Sequence, residues 1–425
     1  MRNTGIATCV LLALCAAPST TQAVLCAVDD VPAATLLIPY FEVDPVCTES
    51  SRNTRFTITN TDHPPVLARV VVWTNAGVVA LYFDVYLNGY DQQEVNLRRV
   101  LCDGWLPSTG EAVAPGPGRH SSTAAHFTGC NATATPPASP VYGGDGALTA
   151  NQRLQLRALL TGQPVPSNPT LCAGLPNGRD TAEGYVTVDV VNRCNAALPG
   201  DVEFGSHLAA DNVLIGSAVL ADSAENVSVT MPVIPLEATT DTVLDQSPSF
   251  YAAPGLPAGP RREPLPSAWM AEAGAGSYQR VDLVAWRAPP ESGALFACPS
   301  GPAWFPLQLD NRSGYGSRGV FHVRDNGQAV PTSRLNPLPR MAQRTAAQEE
   351  FPELADVAGG FSWLNLSHGN GLNLYPAQAW VGTIRQQTGR YAVLHPGAPI
   401  GDACDAPAFD NESPGPLQTF AGDGS

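Results

Sequence analysis

Thr54-Arg-Phe-Thr-Ile-Thr-Asn60, Val66-Leu-Ala-Arg-Val-Val-Val-Trp-Thr74 and Leu81-Tyr-Phe-Asp-Val-Tyr-Leu87 follow one another closely and share one pattern. In the first, Phe56 and Ile58 alternate with Thr57 and Thr59. The second is a β-branched run with one charge, Arg69. In the third, Leu81, Phe83, Val85 and Leu87 alternate with Tyr82, Asp84 and Tyr86. Successive side chains of a strand point to opposite faces, so the pattern predicts strands with one face buried and the other wet. Asn75-Ala76-Gly77 is a turn signal between the second and third runs, and Glu94 to Leu97 starts another run. Short strands at intervals of roughly ten residues predict an antiparallel sandwich.

The same grammar extends in both directions. Ala34-Thr-Leu-Leu-Ile-Pro-Tyr-Phe-Glu-Val43 reads as the first strand, and Pro39 suggests an edge or a switch between sheets. In Ala182-Glu-Gly-Tyr-Val-Thr-Val-Asp-Val-Val-Asn192, Tyr185, Thr187 and Asp189 share one face and Val186, Val188 and Val190 the other. Residues 212–219 and 227–233 continue the sheet. One helix is expected over 148–162, capped by Thr149, with Leu156, Leu159 and Leu160 on its apolar side and Gly162 at its end. Residues 102–146 form a Gly-, Pro-, Ser-, Thr- and Ala-rich excursion.

Pro248, Pro254, Pro257, Pro260, Pro264 and Pro266 mark residues 246–266 as a semi-extended linker. Strand grammar then resumes at 281–286, 320–324, 360–366, 377–384 and 390–394, with a tight-turn signal at Asp325-Asn326-Gly327. Val71-Val72-Trp73-Thr74 and Val284-Ala285-Trp286-Arg287 look alike, which raises the idea of two related units. The expectation is an all-β, mainly antiparallel protein with two immunoglobulin-like β-sandwiches, one short helix and long disulfide-stapled loops. Its parts would be a signal peptide (1–23), a first sandwich (24–245), the linker (246–266), a second sandwich (267–404) and a polar tail (405–425).

The signal peptide is read from Arg2, the short apolar core of residues 6–17 and the Thr21-Gln22-Ala23 cleavage pattern. No later stretch holds about 18 uninterrupted apolar residues, so no transmembrane segment is expected after signal removal. Export changes the meaning of the cysteines. With Cys9 and Cys15 removed, Cys26, Cys47, Cys102, Cys130, Cys172, Cys194, Cys298 and Cys404 remain as disulfide candidates. Short loops close most easily, which suggests Cys26–Cys47, Cys102–Cys130, Cys172–Cys194 and Cys298–Cys404.

Composition narrows the chemistry. All 23 basic residues are arginine, so mechanisms that need a lysine are excluded: a P-loop, a Schiff base, a kinase-type Lys–Glu pair and a Ser–Lys hydrolase. A net charge of −15 without basic clusters argues against nucleic acid as a partner. His120 and His126 are the only close histidines and lack the usual spacing of zinc ligands. No G-x-S-x-G elbow occurs, and no catalytic, metal or cofactor-binding residue is nominated. Trp105 and Trp304, in loops beside cysteines, are possible ligand contacts, able to stack on sugars, anchor a partner or pack on a disulfide.

Ala34-Thr-Leu-Leu-Ile-Pro-Tyr-Phe-Glu-Val-Asp44, Phe83-Asp-Val-Tyr-Leu-Asn-Gly-Tyr90, Gly184-Tyr-Val-Thr-Val-Asp-Val-Val-Asn-Arg-Cys194 and Asp282-Leu-Val-Ala-Trp-Arg287 resemble stretches of exported bacterial β-rich proteins of unassigned function. The resemblance implies an exported β protein and no catalytic residue. The expected function is therefore a non-enzymatic structural, adhesion or assembly role in the cell envelope or outside the cell. Its partner would be a protein or glycan of the envelope, and its address the periplasm, the outer surface or the medium. The alternatives are a pair of carbohydrate-binding modules and a secreted hydrolase with dispersed carboxylates.

Overall fold

A computed structural model of the protein describes residues 31–48, 52–107, 147–165, 173–176, 180–195, 197–199, 201, 203–239, 249–251, 260–266, 268–272, 280–288, 320–324, 329–331, 342–346, 360–365, 368–369, 374–375, 378–387 and 391–399. Among them the architecture is mostly antiparallel β-sheet with two α-helices. The first half holds β1 (Thr35–Val43), β2 (Asn53–Asn60), β3 (Val66–Thr74), β4 (Val79–Leu87), β5 (Gln92–Asn96), α1 (Leu97–Asp103), α2 (Ala150–Thr161), β6 (Ala182–Val191), β7 (Leu214–Asp222), β8 (Val227–Met231) and β9 (Ile234–Leu236). A two-stranded ribbon, β10 (Ala238–Thr239) with β11 (Arg261–Arg262), lies between the halves. The second half holds β12 (Ala268–Glu272), β13 (Arg280–Arg287), β14 (Val320–Arg324), β15 (Ala329–Pro331), β16 (Ala342–Ala346), β17 (Gly360–Asn365), β18 (His368–Gly369), β19 (Leu374–Tyr375), β20 (Ala379–Gln387), β21 (Tyr391–Pro396) and β22 (Ala398–Pro399).

The two halves repeat one topology. The first has a five-stranded sheet in the order β4-β3-β6-β1-β9 and a four-stranded sheet in the order β5-β2-β7-β8. The second has β15-β14-β17-β12-β22 and β16-β13-β20-β21. Reading β12 for β1, β13 for β2 and so on, with the small β18–β19 ribbon set aside, makes the two orders identical. The register agrees as well. Trp73 faces Tyr185 on β6 and Val79 on β4, and Thr74 faces Gly184. Val323 faces Phe361 on β17 and Ala329 on β15, and Arg324 faces Gly360. The likeness of residues 71–74 to 284–287 does not mark this repeat, because β3 corresponds to β14 and β13 to β2. Two β-branched stretches ending in tryptophan are alike because both are buried strands.

In the first half the two sheets lie face to face. A Cβ on Gly216 of β7 would meet Leu36 of β1 and Val233, so Leu36 points at the four-stranded sheet. Ile38, Val70, Val186 and Val188 join it in the core. The opposite face of the five-stranded sheet was expected to be wet, yet every residue of β1, β3, β4 and β6 is buried. Part of the cover comes from the second half, whose β13 and β16 pack against β1 and β6. One continuous core therefore includes Phe41, Trp73, Trp286 and Trp380.

Local chemistry explains most of the boundaries. Gly77 takes φ 77° where β3 turns into β4, as the turn signal requires. Thr149 and Gln152 form a reciprocal capping box that starts α2, and Gly162 ends it in the left-handed region. Two expectations are corrected. Leu97 does not extend a strand: Asn96 accepts from the Arg99 N–H, and α1 runs from there to a left-handed Gly104. Nor is β1 an edge, since it lies between β6 and β9. Pro39 sits where the β1–β6 register shifts, between Ile38 and Phe41, and a bulge of this kind accommodates a residue with no N–H to donate.

Candidate functional site

The buried outer face of the first five-stranded sheet carries a row of polar residues in register: Asp84 on β4, Arg69 on β3, Asp189 on β6 and Thr35 on β1. Arg69 is fully buried. Its Nε and Nη2 donate to Asp84 Oδ1 and Oδ2 at 2.8 and 2.9 Å, a two-pronged pair that matches guanidinium to carboxylate. Its remaining N–H groups donate to Asn195 Oδ1, Asn195 O and Ala197 O at 2.6–2.8 Å. All five donors of the guanidinium are thus used. Burial alone would lower the Arg69 pKa; Asp84 outweighs it and holds Arg69 above its ordinary value.

The other end of the row reaches into the segment between the halves. Thr35 Oγ1 donates to Asp189 Oδ1 at 2.5 Å, and Tyr251 Oη donates to Asp189 Oδ2 at 2.8 Å. Arg262 Nε donates to Thr35 Oγ1 at 2.7 Å and Nη2 to Ala209 O at 2.8 Å. Burial pushes the Asp189 carboxyl up, against the pull of Arg262, Thr35, Tyr251 and Arg69. The same burial pulls the Arg262 guanidinium down. The Tyr251 ring is partly exposed, but its hydroxyl end is enclosed and its pKa is raised. Arg69 and Arg262 against Asp84 and Asp189 leave the row electrically neutral, the condition under which buried charge is tolerated.

The segment is also sewn to the second half. Phe250 stacks on Trp286 with centroids 5.5 Å apart, and Tyr185 meets Trp286 edge-on. Gln378, just before β20, accepts from the Leu265 N–H at 3.0 Å and donates to Ser249 O at 2.9 Å. Ser249 Oγ accepts from the Arg262 N–H at 3.0 Å. The described parts of residues 246–266 are thus fastened on both sides. Sequence reasoning nominated none of these residues. Their signal was a charge within a strand run: Arg69 and Asp84 are the lone charges of theirs, Asp189 shares its run with Glu183, and the partners lie outside each residue's own strand.

Trp105 follows α1. Its N–H donates to Arg99 O at 3.1 Å, and the Arg99 guanidinium lies 4.2 Å above its ring. One ring face is therefore held by a cation. Arg153 and Arg157 of α2 donate to Cys102 O and Leu101 O, satisfying the last carbonyls of α1. Trp304, His120, His126, Cys26, Cys130, Cys172, Cys298 and Cys404 lie outside the described residues.

The disulfide found joins Cys47 to Cys102, with Cα atoms 5.5 Å apart. It overturns the Cys26–Cys47 and Cys102–Cys130 pairings. Loop length was the wrong guide. β2 and β5 are neighbours, with Arg55 opposite Asn96, so the chain entering β2 and the helix leaving β5 meet at one corner. Cys194 is also disulfide-bonded. Among the described residues no group of His, Cys, Asp or Glu is placed to hold a metal ion, and no helix is long and apolar enough to cross a membrane. No family model, curated protein or solved structure matches the chain.

Proposed function

We propose that this is an exported, non-enzymatic protein with a structural, adhesion or assembly role in the cell envelope or outside the cell. The carrying observation is the doubling of one nine-stranded arrangement and the fusion of the two copies through a shared core. The buried row of Asp84, Arg69, Asp189 and Thr35 ties β4, β3, β6 and β1 to the segment between the halves, and rigid tandem β units suit load-bearing and docking. The immunoglobulin-like description is part of the same proposal. Its support is the pairing of β2 with β5 and of β3 with β6 and β4, which matches strand pairs B–E, C–F and C–C′ of that fold. β1 and β7 differ, pairing with β6 and β2 instead of with each other's partners. The resemblance to exported bacterial β-rich proteins points the same way.

The test is in-cell cross-linking of the tagged chain followed by mass spectrometry. Reproducible capture of one envelope protein is the expected result. Saturable turnover of a substrate by the purified chain would overturn the proposal.

A further inference from the structure

We propose that the chain returning from the end of β6, whose described residues lie between Asn192 and Ala209, is an acid-sensitive strap, fastened to the buried ionic row while His207 is neutral and opened locally when His207 takes up a proton. This goes beyond the function proposed above and does not depend on it.

Both arginines of the ionic row hold the strap. Three of the Arg69 hydrogen bonds end on it, at Asn195 Oδ1, Asn195 O and Ala197 O. Arg262 Nη2 reaches its far end, at Ala209 O. Past β6 the chain doubles back on itself: Val191 pairs with Leu208, the Asn192 N–H donates to His207 O at 2.9 Å, and the Ala209 N–H donates to Val190 O at 2.9 Å. The way back is a single 3-10 turn, Phe204–His207. Its apolar support is small: Ala197, Phe204 and Leu208 form a cluster of their own, and Phe204 meets Tyr251 edge-on at 5.6 Å. A segment with few apolar contacts and one short turn is of the kind that opens without global unfolding.

His207 sits at the end of that turn and is 7% exposed. Among the described residues neither of its ring nitrogens has a hydrogen-bond partner. A neutral imidazole brings one N–H and one lone pair into such a place; the cation brings two N–H groups and a charge, and needs two acceptors. Its charged surroundings are also unfavourable. Arg193, just past β6, and Arg69, on β3, oppose a further positive charge, and Glu203, on the turn itself, favours one. Burial is the largest influence, and together these hold His207 below its ordinary 6.5.

The direction of the pH effect follows. The closed strap accepts the neutral ring, whereas an open strap lets water solvate either form. The stability of the closed strap is therefore complete above the ordinary value and is lost as pH falls through it. In the limit where the closed strap takes no proton, the open fraction grows about thirtyfold between pH 7.5 and pH 5. Asp189, bonded to Tyr251 and pushed up by burial, also titrates in acid. That contribution is common to wild type and to a His207 variant, so comparing the two removes it.

Hydrogen exchange read by mass spectrometry, on peptides spanning residues 192–209 and with intrinsic rates corrected at each pH, tests this. The expected result is that wild-type protection of these amides falls about tenfold or more from pH 7.5 to pH 5, while in His207→Leu it changes by less than about threefold. Should His207→Leu fail to fold, His207→Gln is to give the same flat response. Wild-type protection that does not change with pH, or a fall in the folded variant equal to that of the wild type, would overturn the proposal.

Discussion

Trp286, from the second half, lies edge-on to Tyr185 of the first, with ring centroids 5.8 Å apart and planes at 72°. Tyr185 in turn stacks on Trp73 at 5.4 Å, and Phe250 stacks on the far partner, Trp286. Four aromatic rings thus join the halves, in geometries that favour ring pairs.

Removing the central ring should uncouple the halves. Trp286→Ala leaves a cavity on both sides of the joint and should cost about 3–5 kcal/mol. In scanning calorimetry the wild type is expected to unfold in one transition and the variant in two. One transition at an unchanged temperature would show that the rings do not couple the halves.

Arg69 and Asp84 test the buried row. Arg69→Met leaves Asp84 enclosed without its partner and should destabilise by about 3–5 kcal/mol. The double variant Arg69→Met with Asp84→Leu should recover much of that loss, since no charge is left unpaired. Urea unfolding of both singles and the double gives the coupling directly, and strictly additive losses would mean that the pair is not a unit.

Cys47 and Cys102 close a loop over a sequence separation of 55, for which the chain-entropy account gives about 4 kcal/mol. The Cys47→Ala, Cys102→Ala double variant should lose an amount of that order. A non-reducing digest should yield the Cys47–Cys102 linked peptide; a Cys26–Cys47 peptide in its place would contradict the pairing.

Glu263 gives the pH prediction. Its N–H donates to Glu237 O at 3.0 Å, so two acidic residues sit opposite each other beside the β10–β11 ribbon. Burial, and then Glu237, push the Glu263 carboxyl up from 4.5 to about 7. The folded state therefore holds this proton more tightly than the unfolded chain. The stability it confers is complete below the ordinary value and is lost as pH rises through about 7. Because Glu263 is only half-buried, screening reduces the effect. The wild-type Tm should fall between pH 5 and pH 8 by more than that of Glu263→Gln; parallel curves would count against the assignment.

Strands were legible in the sequence because alternation is a local property, and the turn at Gly77 and the caps at Thr149 and Gly162 are local too. What covered the second face was not. Asp84, Arg69 and Asp189 read as solvent-facing because a charge within a strand usually is, and their partners are set by register between strands far apart in the chain. The repeat was hidden for a related reason. Its surviving identities are single residues at structurally equal points, such as Gly184 and Gly360, and not a shared motif. Tyr251 and Arg262 stood in a proline-rich stretch whose composition signals extension and says nothing of what extends across it, and Gln378, which bonds to that stretch, is 113 residues away from Leu265 in sequence. Trp105 was read as a loop residue beside a cysteine, but its cation partner Arg99 comes from a helix that the sequence reading did not propose.

β1 sits inside its sheet, held on one side by β6 and on the other by β9, and its Thr35 bonds to Asp189 across a separation of 154 residues. A chain emerging N-terminus first, from a ribosome or through a narrow channel, would present β1 long before either neighbour arrives. β1 must wait for β6 until the chain across that separation of 154 residues has followed it. Folding of this sheet is thus governed by the timing of delivery, and slow emergence would expose Leu36, Ile38 and Phe41 to chaperones, or to other copies, for the whole interval.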